Sequence, residues 1–128
     1  MIVKTPILPK RVRKVPKSFS WIDHRLVRDR HIERLSHAAM ALYLFLVCVG
    51  DRQGLSYYGD QSLANKLNMK GANLDQARSE LIGAGLVAWQ RPIYQVLGLD
   101  PEPAPRKPSK GTMRLGDILK QAMEAAHD

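Results

Sequence analysis

Residues 35–90 read LSHAAMALYLFLVCVGDRQGLSYYGDQSLANKLNMKGANLDQARSELIGAGLVAWQ, and the spacing of apolar residues in this stretch decides the fold. Ser36 is a good N-cap, because its hydroxyl can accept from first-turn amides that have no partner inside a helix. From His37 to Val49 the chain is apolar almost all round, which predicts a helix that stops at Gly50-Asp51. With so little polar surface it is expected to be the central helix, covered on several sides, with Cys48 an inert core thiol. Asp51-Arg52-Gln53-Gly54 reads as a turn and Leu55-Ser56-Tyr57-Tyr58 as a short strand-like piece. Asp60 is expected to cap a second helix carrying Leu63, Ala64 and Leu67 on one face, and Asn68-Met69-Lys70-Gly71 to break it. A third helix runs to about Ala84 with Leu74, Ala77, Leu81 and Ile82 facing inward. Gly85 suits the left-handed position that ends helices.

Outward from this stretch, residues 86–90 (LVAWQ) and 93–97 (IYQVL) are β-like runs joined across Arg91-Pro92, a hairpin with a very short tip. On the N-terminal side Phe19, Trp21, Ile22, Leu26, Val27, Ile32 and Leu35 are mixed with charges and predict a short strand or turn followed by a helix. Residues 1–18 hold three prolines, no acid and no apolar periodicity, which describes an extended arm. Residues 100–110 (DPEPAPRKPSK) hold four prolines and read as a stiff linker. In residues 111–128 the apolar positions Met113, Leu115, Ile118, Leu119, Ala122, Met123 and Ala126 recur at helical spacing, so the tail is expected to be an amphipathic helix whose stripe needs cover. The resulting division is an arm (1–18), one domain (19–99), a linker (100–110) and a tail helix (111–128).

The 128 residues carry a net charge of +8. That charge is unevenly distributed: residues 1–34 have ten Lys/Arg against three Asp/Glu, residues 35–99 five against four, and residues 100–128 five against five. A basic excess points to a polyanion, of which nucleic acid is the commonest. One cysteine excludes a disulfide framework and agrees with a reducing cytoplasm. The apolar run at 38–49 falls short of the ~20 residues that a spanning helix needs, and its place in mid-chain is wrong for a signal peptide. His24, His31, His37 and His127 lack metal-ligand spacing, so no metal or other cofactor is expected. Gly83-Ala84-Gly85-Leu86-Val87-Ala88 matches a dinucleotide fingerprint by letters, but it follows a helix and opens a strand, the reverse of the order that presents a helix N-terminus to a phosphate. No residue set joins a nucleophile, a base and an orienter, and the chain is read as having no enzymatic activity.

The order of central helix, short strand, helix, tight turn, helix and hairpin resembles the winged helix-turn-helix domains of bacterial replication initiators, DnaD-type primosomal proteins and small transcriptional regulators. Leu35-Ser36, Ser62-Leu63-Ala64-Asn65-Lys66-Leu67 and Glu80-Leu81-Ile82-Gly83-Ala84-Gly85-Leu86-Val87 carry the resemblance. The fold class it implies is mainly α with a small β-hairpin: a three-helix core plus wing, flanked by the basic arm and the amphipathic tail helix.

The resemblance implies that the third helix enters the major groove of double-stranded DNA. On a helical wheel Ala72, Gln76, Ser79 and Gly83 lie outward, and Gln76 can pair bidentately with adenine. Lys70 and Asn73 lie where related domains touch phosphate or base, although Asn73 can equally cap the helix in a box with Gln76. Arg78, where an apolar residue is usual, is expected to pair with Glu80 or another acid, or to snorkel, rather than read a base. At the hairpin tip Arg91 can hold one phosphate. Lys10, Arg11, Arg13, Lys14 and Lys17 in the arm are expected as phosphate partners or, for the arginines, minor-groove inserts. The expected function is DNA binding in transcriptional regulation or as a replication or mobile-element accessory, in a cytoplasmic, nucleoid-associated protein. A protein-interaction module is the rival reading, because residues 74–80 are net acidic and the tail stripe, with Leu115, Ile118, Leu119, Ala122 and Met123, invites a partner groove or a homodimer.

Overall fold

A computed structural model describes residues 2–100. Those residues are mainly helical, with four α-helices: α1 (Arg25–Arg28), α2 (His37–Val49), α3 (Asp60–Leu67) and α4 (Gly71–Gly83). Three short strands, β1 (Leu55–Tyr57), β2 (Val87–Gln90) and β3 (Ile93–Val96), form an antiparallel sheet in the order β1-β3-β2. Single 3-10 turns occur at Pro9–Arg11 and Ile32–Arg34. The arrangement is compatible with a winged helix. The linker and tail expected beyond Asp100, including the stripe residues Leu115 to Met123, lie outside the described residues.

Each element begins and ends for a local reason. Ser36 caps α2 as expected, its Oγ accepting from the amide of Ala39 at 3.1 Å. The Ser36 amide donates to Glu80 Oε1 at 2.8 Å, tying the start of α2 to the end of α4. Asp51 builds the turn after α2, its Oδ1 accepting from the amides of Gln53 and Leu55, each at 2.9 Å. Asn68 takes a left-handed conformation (φ 56°) that lets α3 stop and α4 turn away from it. At the far end of α4, Gly85 sits at φ 75°, with its amide donating to Ile82 O and that of Leu86 to Leu81 O, the two bonds of a Schellman ending.

Leu42, Leu46, Leu63, Leu74, Ala77, Leu81, Leu86, Val87 and Tyr94 are buried together in one core. Leu26 of α1 and Ala39 of α2 complete it. The hairpin is the one expected, with Val87 opposite Val96 and Gln90 opposite Ile93 across Arg91-Pro92. The short strand-like piece, which sequence alone leaves separate, joins the sheet as β1, with Leu55 opposite Gln95.

Five expectations need correction. Among the described residues the central helix α2 is left open along one side: it buries Ala39, Leu42 and Leu46, while Leu44 stays 52% exposed. The chain ahead of α2 makes only a turn and the one-turn α1, too little to wrap it. Cys48 lies on that open side and is exposed rather than a core thiol. Asp60 does not cap α3; Gly59 holds the N-cap position without a side-chain bond, and the Asp60 carboxylate is drawn to Arg78 instead. Asn73 does not cap α4, because that helix already starts at Gly71. Ile82 points outward at 43% exposure, since Leu74, Ala77, Arg78 and Leu81 fill the inward face.

Two glycines with positive φ separate backbone strain from lack of space. A Cβ on Gly54 (φ 81°) would lie 2.7 Å from Val96 O, whereas one on Gly85 (φ 75°) meets nothing within 4 Å. Gly85→Ala is therefore expected to cost about 1–2 kcal/mol, the conformational penalty alone. Gly54→Ala should cost clearly more and loosen the Gly54–Val96 tie; urea unfolding of the two variants checks the order.

Candidate nucleic-acid interface

The centre of the candidate reading surface is organised from behind, by Arg78. This side chain is buried on the inward flank of α4 and reaches three elements. Its Nη1 donates to Asp60 Oδ1 of α3 at 2.9 Å and to the Tyr94 hydroxyl of β3 at 2.7 Å. Its Nη2 donates to Asp75 Oδ1 on its own helix at 2.6 Å. The guanidinium carbon also lies 3.9 Å from the centre of the Trp89 ring on β2, a cation–π distance. Burial works against its charge, but the hydrogen bonds to Tyr94 and Asp60 outweigh burial and raise the pKa above the ordinary arginine value. As expected, Arg78 pairs with acids and does not face outward; the partners are Asp75 and Asp60, not Glu80.

This arrangement changes the electrostatics of the outer face. Residues 74–80 are net acidic in sequence. In the fold Asp75 shares the Arg78 guanidinium with Asp60, which offsets part of its charge, and Glu80 accepts from the Ser36 amide. Outward on α4 lie Ala72, Gln76, Ser79 and Gly83, all exposed and uncharged, with Ile82 and the exposed carboxylate of Asp75 at the flanks. Asn73 is exposed in the first turn, and Lys70 is exposed at the N-cap, where its cation stands at the tip of the helix. Arg91 occupies the two-residue turn of the hairpin, with its guanidinium carbon 4.8 Å from the Trp89 ring centre. Trp89 thus links Arg91 at the hairpin tip to Arg78 beneath α4. The ring also stacks on its cross-strand partner Tyr94, at 6.0 Å and 23°.

The structure does not bring the arm residues onto α4. Lys10 and Arg11 fall in the 3-10 turn, Arg13 and Lys14 in irregular chain and Lys17 at a bend, all exposed. The backbone hydrogen bond of this segment is internal, from the Arg11 amide to Leu8 O at 2.8 Å.

Sequence reasoning missed Asp60, Asp75 and Tyr94 as the partners that hold Arg78. The i,i+3 spacing of Asp75 and Arg78 carried a signal for one of them. Nothing in the sequence announced the other two, which depend on α3 and β3 meeting at α4.

No family model, curated protein or solved structure matches the chain. Among the described residues no helix is long and apolar enough to cross a membrane.

Arg78→Ala is expected to lower stability by about 3 kcal/mol, the range for hydrogen bonds made by a buried charged group. Asp75→Ala, on the exposed side of the same network, should cost at most about 1 kcal/mol. Burial raises the pKa of Tyr94, although Arg78 pulls the other way. The neutral phenol is therefore the folded form: its contribution is complete below the unfolded value of about 10 and declines as pH rises above it. In urea unfolding across pH 8–11, Tyr94→Phe should start less stable and lose less than the parent on the alkaline side; an unchanged alkaline limb would assign that loss to Tyr43, whose pKa burial also raises.

Proposed function

We propose that this chain binds double-stranded DNA without catalysis. In this reading α3 and α4 are a helix-turn-helix, the β2–β3 hairpin is its wing, and the basic arm grips phosphates. The observation that carries the reading is the outer face of α4. Ala72, Gln76, Ser79 and Gly83 form a slim edge of exposed, uncharged residues, and the neighbouring acids are held aside, Asp75 by Arg78 and Glu80 by the Ser36 amide. Small outward residues allow close approach to base edges, and Gln76 can read adenine there. Lys70 at the N-terminus of α4, Asn73 and Arg91 flank this edge and supply hydrogen bonds to the backbone.

Affinity comes mainly from the arm, since the scaffold of residues 35–99 has a net charge of only +1 and residues 1–34 one of +7. Five phosphate contacts by Lys10, Arg11, Arg13, Lys14 and Lys17 give a slope of log affinity on log salt of about −4 to −5. The biological setting that fits is a cytoplasmic, nucleoid-associated regulator or a replication or mobile-element accessory. A second reading, a protein-interaction module on the same scaffold, is favoured by the exposed aromatic rings of Phe19 and Trp21, at 64% and 74%.

Duplex-DNA binding measured at several salt concentrations tests the proposal. Deleting residues 2–18 should abolish most of the affinity and flatten the salt slope, while Gln76→Ala should alter site preference and leave the slope unchanged. Equal, weak binding by the parent and the arm deletion would support the protein-interaction reading instead.

A further inference from the structure

On a side of the molecule that includes none of the proposed DNA-contacting residues, a cleft of about 610 Å3 opens between residues 19–25, the C-terminal half of α2, the 50–54 turn and residues 96–100. Phe19, Trp21, Tyr43, Val47, Leu97 and Leu99 supply its apolar lining. The carboxylates at its rim are already engaged. Asp23 and Asp100 both accept from Arg25, at 2.7 and 2.6 Å, and Asp51 accepts from the two amides of its own turn. The Arg25 side chain and amide hold the Asp23 carboxyl down at about 2, so this clasp stays ionised through the whole physiological range. A surface with engaged carboxylates and two aromatic rings facing water calls for an apolar cover, not a polar ligand.

The course of the chain names the occupant. Asp100 is itself part of the rim, held by Arg25, so the chain leaves the described fold at the edge of the cleft. Residues 101–110 can span at most roughly 35 Å. That reach exceeds the ~20 Å length of a thirteen-residue helix such as α2, so a stiff linker can carry the chain past the far end of the cleft, from where the segment beginning at residue 111 can run back along it. In residues 111–128 Leu115, Ile118, Leu119, Ala122 and Met123 recur in sequence at the spacing expected of one helix face. A tether that spans the cleft makes this docking intramolecular, which favours the chain's own segment over a second copy at micromolar protein. We infer that the cleft is the seat of the chain's own C-terminal segment, whose apolar stripe covers Phe19 and Trp21 in cis. The inference stands independently of DNA binding. One wall of the cleft, residues 19–21, is the root of the basic arm, so an occupied cleft also fixes where the arm leaves the domain.

Trp21 reports the cover and Cys48, exposed on α2 one residue beyond Val47, reports its origin. Acrylamide quenching of Trp21, isolated as the difference between the parent and Trp21→Phe, should rise about twofold on deletion of residues 111–128. Leu119→Asp in the full chain should reproduce that rise. Protection in the parent should not change from low to high micromolar protein, and a short bis-maleimide should join Cys48 to Met123→Cys within one chain. Quenching that ignores both the deletion and Leu119→Asp overturns the inference. Protection that grows with protein concentration, with cross-links only between chains, also overturns it and gives the cleft to a second copy.

Discussion

A single guanidinium, that of Arg78, sets the geometry on which the rest of the structure depends. Burying a cation is unfavourable unless its hydrogen-bonding capacity is filled, and here Asp60, Asp75, Tyr94 and the face of Trp89 fill it from both helices of the turn and from both strands of the hairpin. An apolar residue at this position could pack with equal density, but it would not fix the rotation of α4 relative to α3 or the height of the hairpin beside it. The directional bonds do both. They also hold Asp75 beside the guanidinium that it shares with Asp60, while the outward residues Ala72, Gln76, Ser79 and Gly83 are uncharged by type.

The elements themselves were legible because their signals are local. The Ser36 cap, the Asp51 turn, the break at Asn68 and the glycine ending at Gly85 each depend on residues a few positions apart, and each stands in the structure where its local signal places it. Failures occurred where a distant partner overrode a local preference. Asp60 has the composition of a cap, yet its carboxylate goes to a buried arginine eighteen residues later. Asn73 has the spacing of a capping box, but the helix begins two residues earlier, at Gly71. The apolar breadth of α2 suggests complete burial. The described residues supply too little chain to cover it, and Leu44 and Cys48 remain open.

Of the candidate site, the outward set on α4 was legible from the 3.6-residue period alone, and Gln76 and Ser79 are exposed as the wheel requires. The electrostatic state of that face was not. A count over residues 74–80 gives a net negative charge, and only the fold shows that Asp75 is paired with Arg78 while Glu80 accepts from the Ser36 amide. Charge in this protein is divided between a nearly neutral scaffold, which offers shape, and an exposed basic arm, which offers long-range attraction. In the proposed function these parts separate readout from grip, because phosphate contacts position a protein on a duplex while base-edge contacts discriminate.

Residue-resolved amide shifts on titration of the labelled full chain with duplex DNA test the central claim most directly. Docking by α4 predicts shifts concentrated at residues 70–83, at the hairpin turn around Arg91 and in the arm from Lys10 to Lys17, with the cleft around Trp21 and Tyr43 unaffected. Shifts confined to the arm would leave α4 without a role as reader. Shifts centred on the cleft, or none at saturating DNA and low salt, would contradict the proposed interface outright.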